Sequence, residues 1–214
     1  DRDGKYQLGM LAPSAFAPLA RSAGPMLREE AFHLGTGQDG LKRIIQGNRV
    51  SVPTLQRYVN KWVSTALDLF GKDESSTAEW GYVWGLKGRF DEKKQADKTG
   101  FDRKDINDHN RNLYWDEVSA ILNKLNGVIA ETGREEKLIM PDIKFHRSIG
   151  RYADAKHTVD GQEFSGDDYD AYLKSVMPDE KVEQEIADIA KDNDWIADKK
   201  LPDDAWNIKA PVMR

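Results

Sequence analysis

Met26-Leu27-Arg28-Glu29-Glu30-Ala31-Phe32-His33-Leu34-Gly35 is the stretch on which the reading of the fold turns. Within it Glu30 and His33 stand three residues apart. On an α-helix that spacing puts a carboxylate and an imidazole on one face, about one turn apart, where both can reach a common ion. If Leu27, Ala31 and Leu34 face the core, Glu30 and His33 border the same face. A half-buried carboxylate without a counter-ion is costly, so that placement favours a cation beside it. The spacing alone is weak, because a Glu near a His on a helix is more often part of a solvated face.

Helical carboxylate proteins hold a pair of iron or manganese ions with two Glu-x-x-His pairs and two single carboxylates spread over four helices. One such pair is present here, and the other three histidines supply no second. Asp154-x-x-His157 lies among Gly and Asp without helical periodicity and reads as loop. Asp105 and His109 fall at a helix start, where Asp is an expected cap. His146, between Lys144 and Arg147, suits the surface or a supporting position behind the ligands. Asp116 and Glu117 have no His three residues on and read as solvated.

Outward from the motif, helical periods dominate. Asp1 to Ala12 has an apolar side of Tyr6, Leu8, Met10 and Leu11, and Pro13 breaks it. Ser14 is placed to cap the next helix, Gly24-Pro25 predicts a kink or restart, and Gly35, Gly37 and Gly40 loosen its end. Ser51 and Pro53 open the clearest helix, whose apolar residues recur from Leu55 to Phe70 before Gly71. Trp80, Tyr82, Trp84 and Leu86 predict a short helix buried by its aromatics, with a strand as the alternative. Asp91 to Lys104 is dense in charge and reads as an exposed connector. A long helix follows from about Asp105 to Thr132, with Leu113, Val118, Ile121, Leu122, Leu125, Val128 and Ile129 on its core side. Beyond Gly133 the pattern turns irregular. Lys144, Arg147 and Arg151 form a basic group there, either ordinary surface or a seat for phosphates. Two short helices, begun near Ser165–Asp168 and Pro178, precede a tail that wraps along the surface.

Composition narrows the classes. With 214 residues the chain can bury one good core plus an extension. The net charge of −5, without a basic stripe, argues against nucleic acid. The absence of cysteine excludes disulfides, zinc thiolates, iron–sulfur clusters and thiol nucleophiles within the chain. No apolar run approaches the roughly 20 residues that span a bilayer, and no signal-peptide pattern is present, so no membrane partner and a cytoplasmic location are expected.

The runs Asp1–Gly9, Ser14–Arg21, Met26–His33 and Lys144–Gly150 together resemble the oxygenase subunits (component B) of benzoyl-CoA 2,3-epoxidases, most densely over the first 45 residues. The resemblance implies an all-α, ferritin-like helical bundle, present in part, with an irregular C-terminal extension. Residues 1–133 would be the C-terminal half of the di-iron bundle with added helices, and 134–214 the extension wrapping it. It implies two iron ions and epoxidation of the aromatic ring of benzoyl-CoA with O₂. Electrons would come from a separate NADPH-dependent flavin and iron–sulfur reductase. Position by position, Glu30 and His33 become metal ligands, Asp1 the single carboxylate on the preceding helix, and Asp3 its fallback. Phe32 stands where the family pattern has a second histidine. The family's other carboxylate and first Glu-x-x-His lie upstream of Asp1, so the expected irons are partly ligated by residues of another segment or chain. Two alternatives stay open: a non-catalytic helical scaffold for a partner subunit, and an epoxidase of another aryl-CoA such as phenylacetyl-CoA.

Overall fold

A computed structural model describes residues 2–87 and 105–200. The expected Asp91–Lys104 connector, the end of the tail and Asp1 lie outside the described residues. The fold is all-α, and a partial ferritin-like bundle is compatible with it. The described helices are α1 (Arg2–Leu11), α2 (Ala17–Gly47), α3 (Val52–Asp68), α4 (Ser76–Val83), α5 (Ile106–Glu131), α6 (Tyr169–Val176) and α7 (Glu180–Ile189). The β-pairing among the described residues is an isolated bridge between His157 and Glu163.

Helix α2 departs from expectation by running unbroken through Gly24-Pro25 and the three later glycines. Pro25 removes one backbone donor, but Arg21 and Pro25 both face solvent, where water can satisfy the freed carbonyl. A β-carbon at Gly35, Gly37 or Gly40 would meet nothing within 4 Å, so these glycines lower helix propensity without marking a break. Ser14 does not cap this helix. Its hydroxyl accepts from the Phe16 amide in a local turn, and Phe16 is the N-cap residue. Ser51 does cap α3, accepting from the Thr54 amide at 3.2 Å.

The core comes in two joined parts. Ile45, Val50, Val52, Leu55, Leu122, Leu125, Ile129 and Leu138 pack where α2 ends against α3 and α5. Met10, Val63, Leu67, Phe70, Ile106 and Tyr114 pack at the other end. Val59, Val118 and Met140 touch both. Fully burying an aliphatic side chain such as Leu67 or Ile129 contributes about 1.5–3 kcal/mol. Leu113, expected inside, is exposed, and its neighbour Tyr114 takes the buried position. Trp80 and Trp84 are exposed as well, so α4 is a helix as expected but not one buried by its tryptophans.

Side-chain amides lay the irregular segment into the core. Asn126 of α5 both donates to the Leu138 carbonyl and accepts from its amide, while Gln56 of α3 does the same for Ile139. A strand partner's hydrogen bonds are thus replaced by two amide side chains, which leaves Leu138 free to enter the core. At the far end, the Ala197 amide donates to the Arg43 carbonyl and Arg43 Nε to the Ala197 carbonyl, clasping the tail to α2. A β-carbon at Gly47 would lie 2.8 Å from the Trp195 carbonyl oxygen, so only glycine admits the tail there.

Candidate metal centre

Helix α1 folds back along α2 after the Ala12–Phe16 turn, which brings Gly4 against Glu30. A β-carbon built on Gly4 would stand 3.3 Å from Glu30 Oε1 and 3.6 Å from Oε2. The missing side chain therefore lets the carboxylate lie directly over the α1 backbone. Glu30 Oε2 is buried and has no hydrogen-bond partner. An orphaned carboxylate oxygen is costly in protein and is the kind of group a cation satisfies. Glu30 thus borders the packed face, as its position in the sequence suggested.

His33 does not follow it. One turn along α2 its ring is exposed rather than at the edge of the core. The core-directed residues of α2 are Ala23 and Ile45, with Leu27 and Leu34 half-buried, while Ala31 faces outward. That rotation turns His33 toward the open flank beside Phe32, which is 74% exposed and meets the imidazole edge-on. Asp1 lies outside the described residues. Asp3 approaches Tyr114 of α5, whose hydroxyl is raised well above the usual range by burial and then by the Asp3 charge. Gly4 is the α1 residue against which Glu30 is seen to lie. Among the described residues no three His, Asp or Glu side chains gather as a metal site would require. Carboxylate and imidazole are the donor types a two-ion carboxylate site uses, but the described residues do not gather Glu30 and His33 with a third donor.

On the other side of α1 a different carboxylate is fully engaged. Glu117, expected to be solvated, accepts from Arg2 Nη1 at 2.8 Å, Lys5 Nζ at 2.9 Å and the Tyr6 hydroxyl at 2.5 Å. Burial pushes its carboxyl up, but the Tyr6 and Lys5 hydrogen bonds and the Arg2 and Lys5 charges outweigh that and hold it below the ordinary range. Tyr6 is raised in turn, by burial and by its bond to Glu117. Asp116 is exposed, as expected. Nothing in the periodicity of α5 distinguishes Glu117 from Asp116. The signal lay in the cationic spacing Arg2–Lys5 on α1, three residues apart.

The basic group of the extension also separates. Arg147 is buried, donating to Asp68, to the Leu67 carbonyl and to the carbonyls of Ile143 and Ile149. Burial lowers its guanidinium's affinity for its proton, and Asp68 opposes that. It is a staple between α3 and the extension, not an open surface charge. His146 beside it is half-buried with φ 45, a left-handed backbone uncommon outside glycine, and burial lowers its basicity against the Asp68 charge. Helix α5 is capped from a distance too: Asp73, not Asp105, accepts from the Asn107 and Asp108 amides.

Compared with known proteins, the chain is 33% identical over 220 aligned positions to benzoyl-CoA oxygenase component B of Aromatoleum evansii. The match covers 84% of this chain and 46% of that protein, so the chain spans about half the length of the curated relative it matches. The resemblance drawn from the sequence runs is borne out, and its extent is consistent with a C-terminal half. No family model matches the chain.

Proposed function

We propose that this chain forms half of a di-iron oxygenase component that epoxidises the aromatic ring of benzoyl-CoA. The carrying observation is the Glu30 carboxylate, laid over Gly4 with a buried and unpartnered oxygen, in a chain similar to component B over most of its length. Glu30 would bind through that oxygen and His33 through one ring nitrogen, with Asp1 as the expected third donor. The remaining ligands come from outside this chain, and the body carrying them covers the open flank of α2 and takes His33 out of water. Iron bound there supplies the redox chemistry by which one atom of O₂ enters the ring as the epoxide and the other leaves as water. The two electrons come from NADPH through a separate flavin and iron–sulfur reductase.

The chain's own residues position and support the site. Arg2, Lys5 and Tyr6 pin α1 to Glu117, which fixes the height of Gly4 and therefore of the Glu30 carboxylate. Phe32 offers an apolar surface beside His33 that excludes water once it is covered. A second reading, a scaffold without iron, is favoured by the exposure of His33 and by the lack of a third donor beside it among the described residues. Metal analysis of the protein purified in its natural complex separates the two. Bound iron that falls in Glu30→Ala and His33→Ala supports the oxygenase. A complex devoid of iron, or iron indifferent to both substitutions, leaves the scaffold. Turnover of benzoyl-CoA against phenylacetyl-CoA, with reductase, NADPH and O₂ supplied, decides the substrate.

A further inference from the structure

Between the C-terminal end of α3, the first turns of α5 and the 143–152 segment lies a cavity of about 330 Å³. Its walls carry Lys72, Arg111, Arg147 and Arg151 against two carboxylates, Glu74 and Asp108. In a chain of net charge −5 that is a local excess of cations. The four are of two kinds. Arg111 and Arg147 are buried and fixed, the first by Asp108 and the carbonyls of Leu67 and Gly71, the second by Asp68 and the Leu67 carbonyl. Lys72 and Arg151 are exposed at the rim and pair with no carboxylate among the described residues.

Each rim cation follows a glycine in the left-handed region, Gly71 at φ 72 and Gly150 at φ 92. Other residues adopt that backbone at a cost, so the two sharp turns that present Lys72 and Arg151 depend on glycine. The Arg151 guanidinium also stands 5.7 Å from the Tyr152 ring centroid, which limits where it can swing. Asp73 already takes the Asn107 and Asp108 amides at the start of α5, so the site rests on its side-chain cations.

We propose that this cavity is a phosphate seat, and that it takes the phosphates of the acyl-CoA; the second clause rests on the function proposed above. The two buried guanidinium groups, each held by its own carboxylate, set a fixed polar floor. Lys72 and Arg151, paired with no carboxylate among the described residues, supply the hydrogen bonds that close on the phosphate oxygens. Glu74 at the rim opposes an anion and sets a limit on affinity.

Calorimetric titration of the 214-residue chain at low salt, with CoA, pantetheine and inorganic pyrophosphate, tests both clauses. CoA and pyrophosphate bind and compete, pantetheine does not, and added salt weakens both. The double variant Lys72→Ala/Arg151→Ala loses about tenfold or more in CoA affinity, the loss of one to two charge-assisted contacts. Glu74→Gln tightens it. Both rim positions are exposed, so an unchanged circular-dichroism spectrum is expected and excludes unfolding as the cause. Equal CoA affinity in the double variant, pantetheine binding as well as CoA, or no binding of either anion overturns the seat. Binding of pyrophosphate without CoA overturns the second clause only. The metal reading fails or stands separately, since iron content follows Glu30 and is indifferent to Lys72 and Arg151.

Discussion

Two carboxylates flank the same short helix, and their surroundings are opposite. Glu117 reaches α1 from α5 and finds Arg2, Lys5 and Tyr6 waiting. Glu30 reaches α1 from α2 and finds the bare backbone of Gly4, with one oxygen buried and unmatched. A matched carboxylate stabilises the fold it sits in, whereas an unmatched one is a cost the fold carries for another purpose. The contrast gives α1 one face held by ion pairs and another where a carboxylate oxygen is left unmatched, and the proposed metal site lies on the second.

The comparison breaks first at Glu117. Glu117→Ala strands two cations and a half-buried hydroxyl, and should lower unfolding free energy by about 1–3 kcal/mol in denaturant titration. Because the folded carboxyl is held below its ordinary value, its contribution is present above the unfolded pKa and is lost as pH falls through the folded one. Acid titration of parent and variant should therefore converge at low pH; a gap that persists there would falsify the linkage. Glu30 should behave with the opposite sign. Glu30→Met in metal-free protein removes an unpartnered buried oxygen and should raise stability by about 1 kcal/mol, again by denaturant titration. A loss of that size instead would mean that Glu30 has a structural partner and belongs with Glu117. Gly4→Ala sharpens the same point. Its β-carbon arrives 3.3 Å from Glu30 Oε1, close enough to push the carboxylate aside. Iron affinity should fall while the helix gains up to about 1 kcal/mol of propensity; unchanged iron affinity would detach Glu30 from the metal.

Much of this architecture was legible because it depends on local chemistry. Ser51, Pro53 and Gly71 bracket α3 as their types dictate, and Asp168 and Asp179 cap α6 and α7. What could not be read were choices made across the fold. Pro25 was expected to interrupt α2, yet its lost bond lies on the wet side, where it costs least. Arg147 looked like surface charge because Asp68, which binds it, is far away in sequence. Leu138 lies in irregular backbone, as expected, but its entry into the core depends on the Asn126 amide of α5, which no local pattern reveals. At the candidate site the same limit applied. The Glu30 position followed from periodicity, but Ala31, expected on the core face, is exposed, and the buried residues of α2 are Ala23 and Ile45, a rotation that leaves His33 outside.

His33 gives the smallest effect on the fold and the most discriminating one. An exposed side chain whose ring meets only another exposed ring among the described residues carries little stability, so His33→Ala should move unfolding free energy by no more than about 0.5 kcal/mol. The same substitution should abolish or sharply reduce bound iron in the natural complex, since neutral imidazole is the donor that cannot be replaced by a nearby carboxylate without changing the charge at the metal. Hydrogen exchange provides an independent reading. If a second body covers the open flank of α2, amides around Phe32 and His33 should gain protection in the complex, while those of α5 near Glu117, already packed in the chain alone, should change little. Equal protection gains at both faces would erase the distinction between them. No gain near His33 would leave the imidazole in water, and with it the metal assignment would fall.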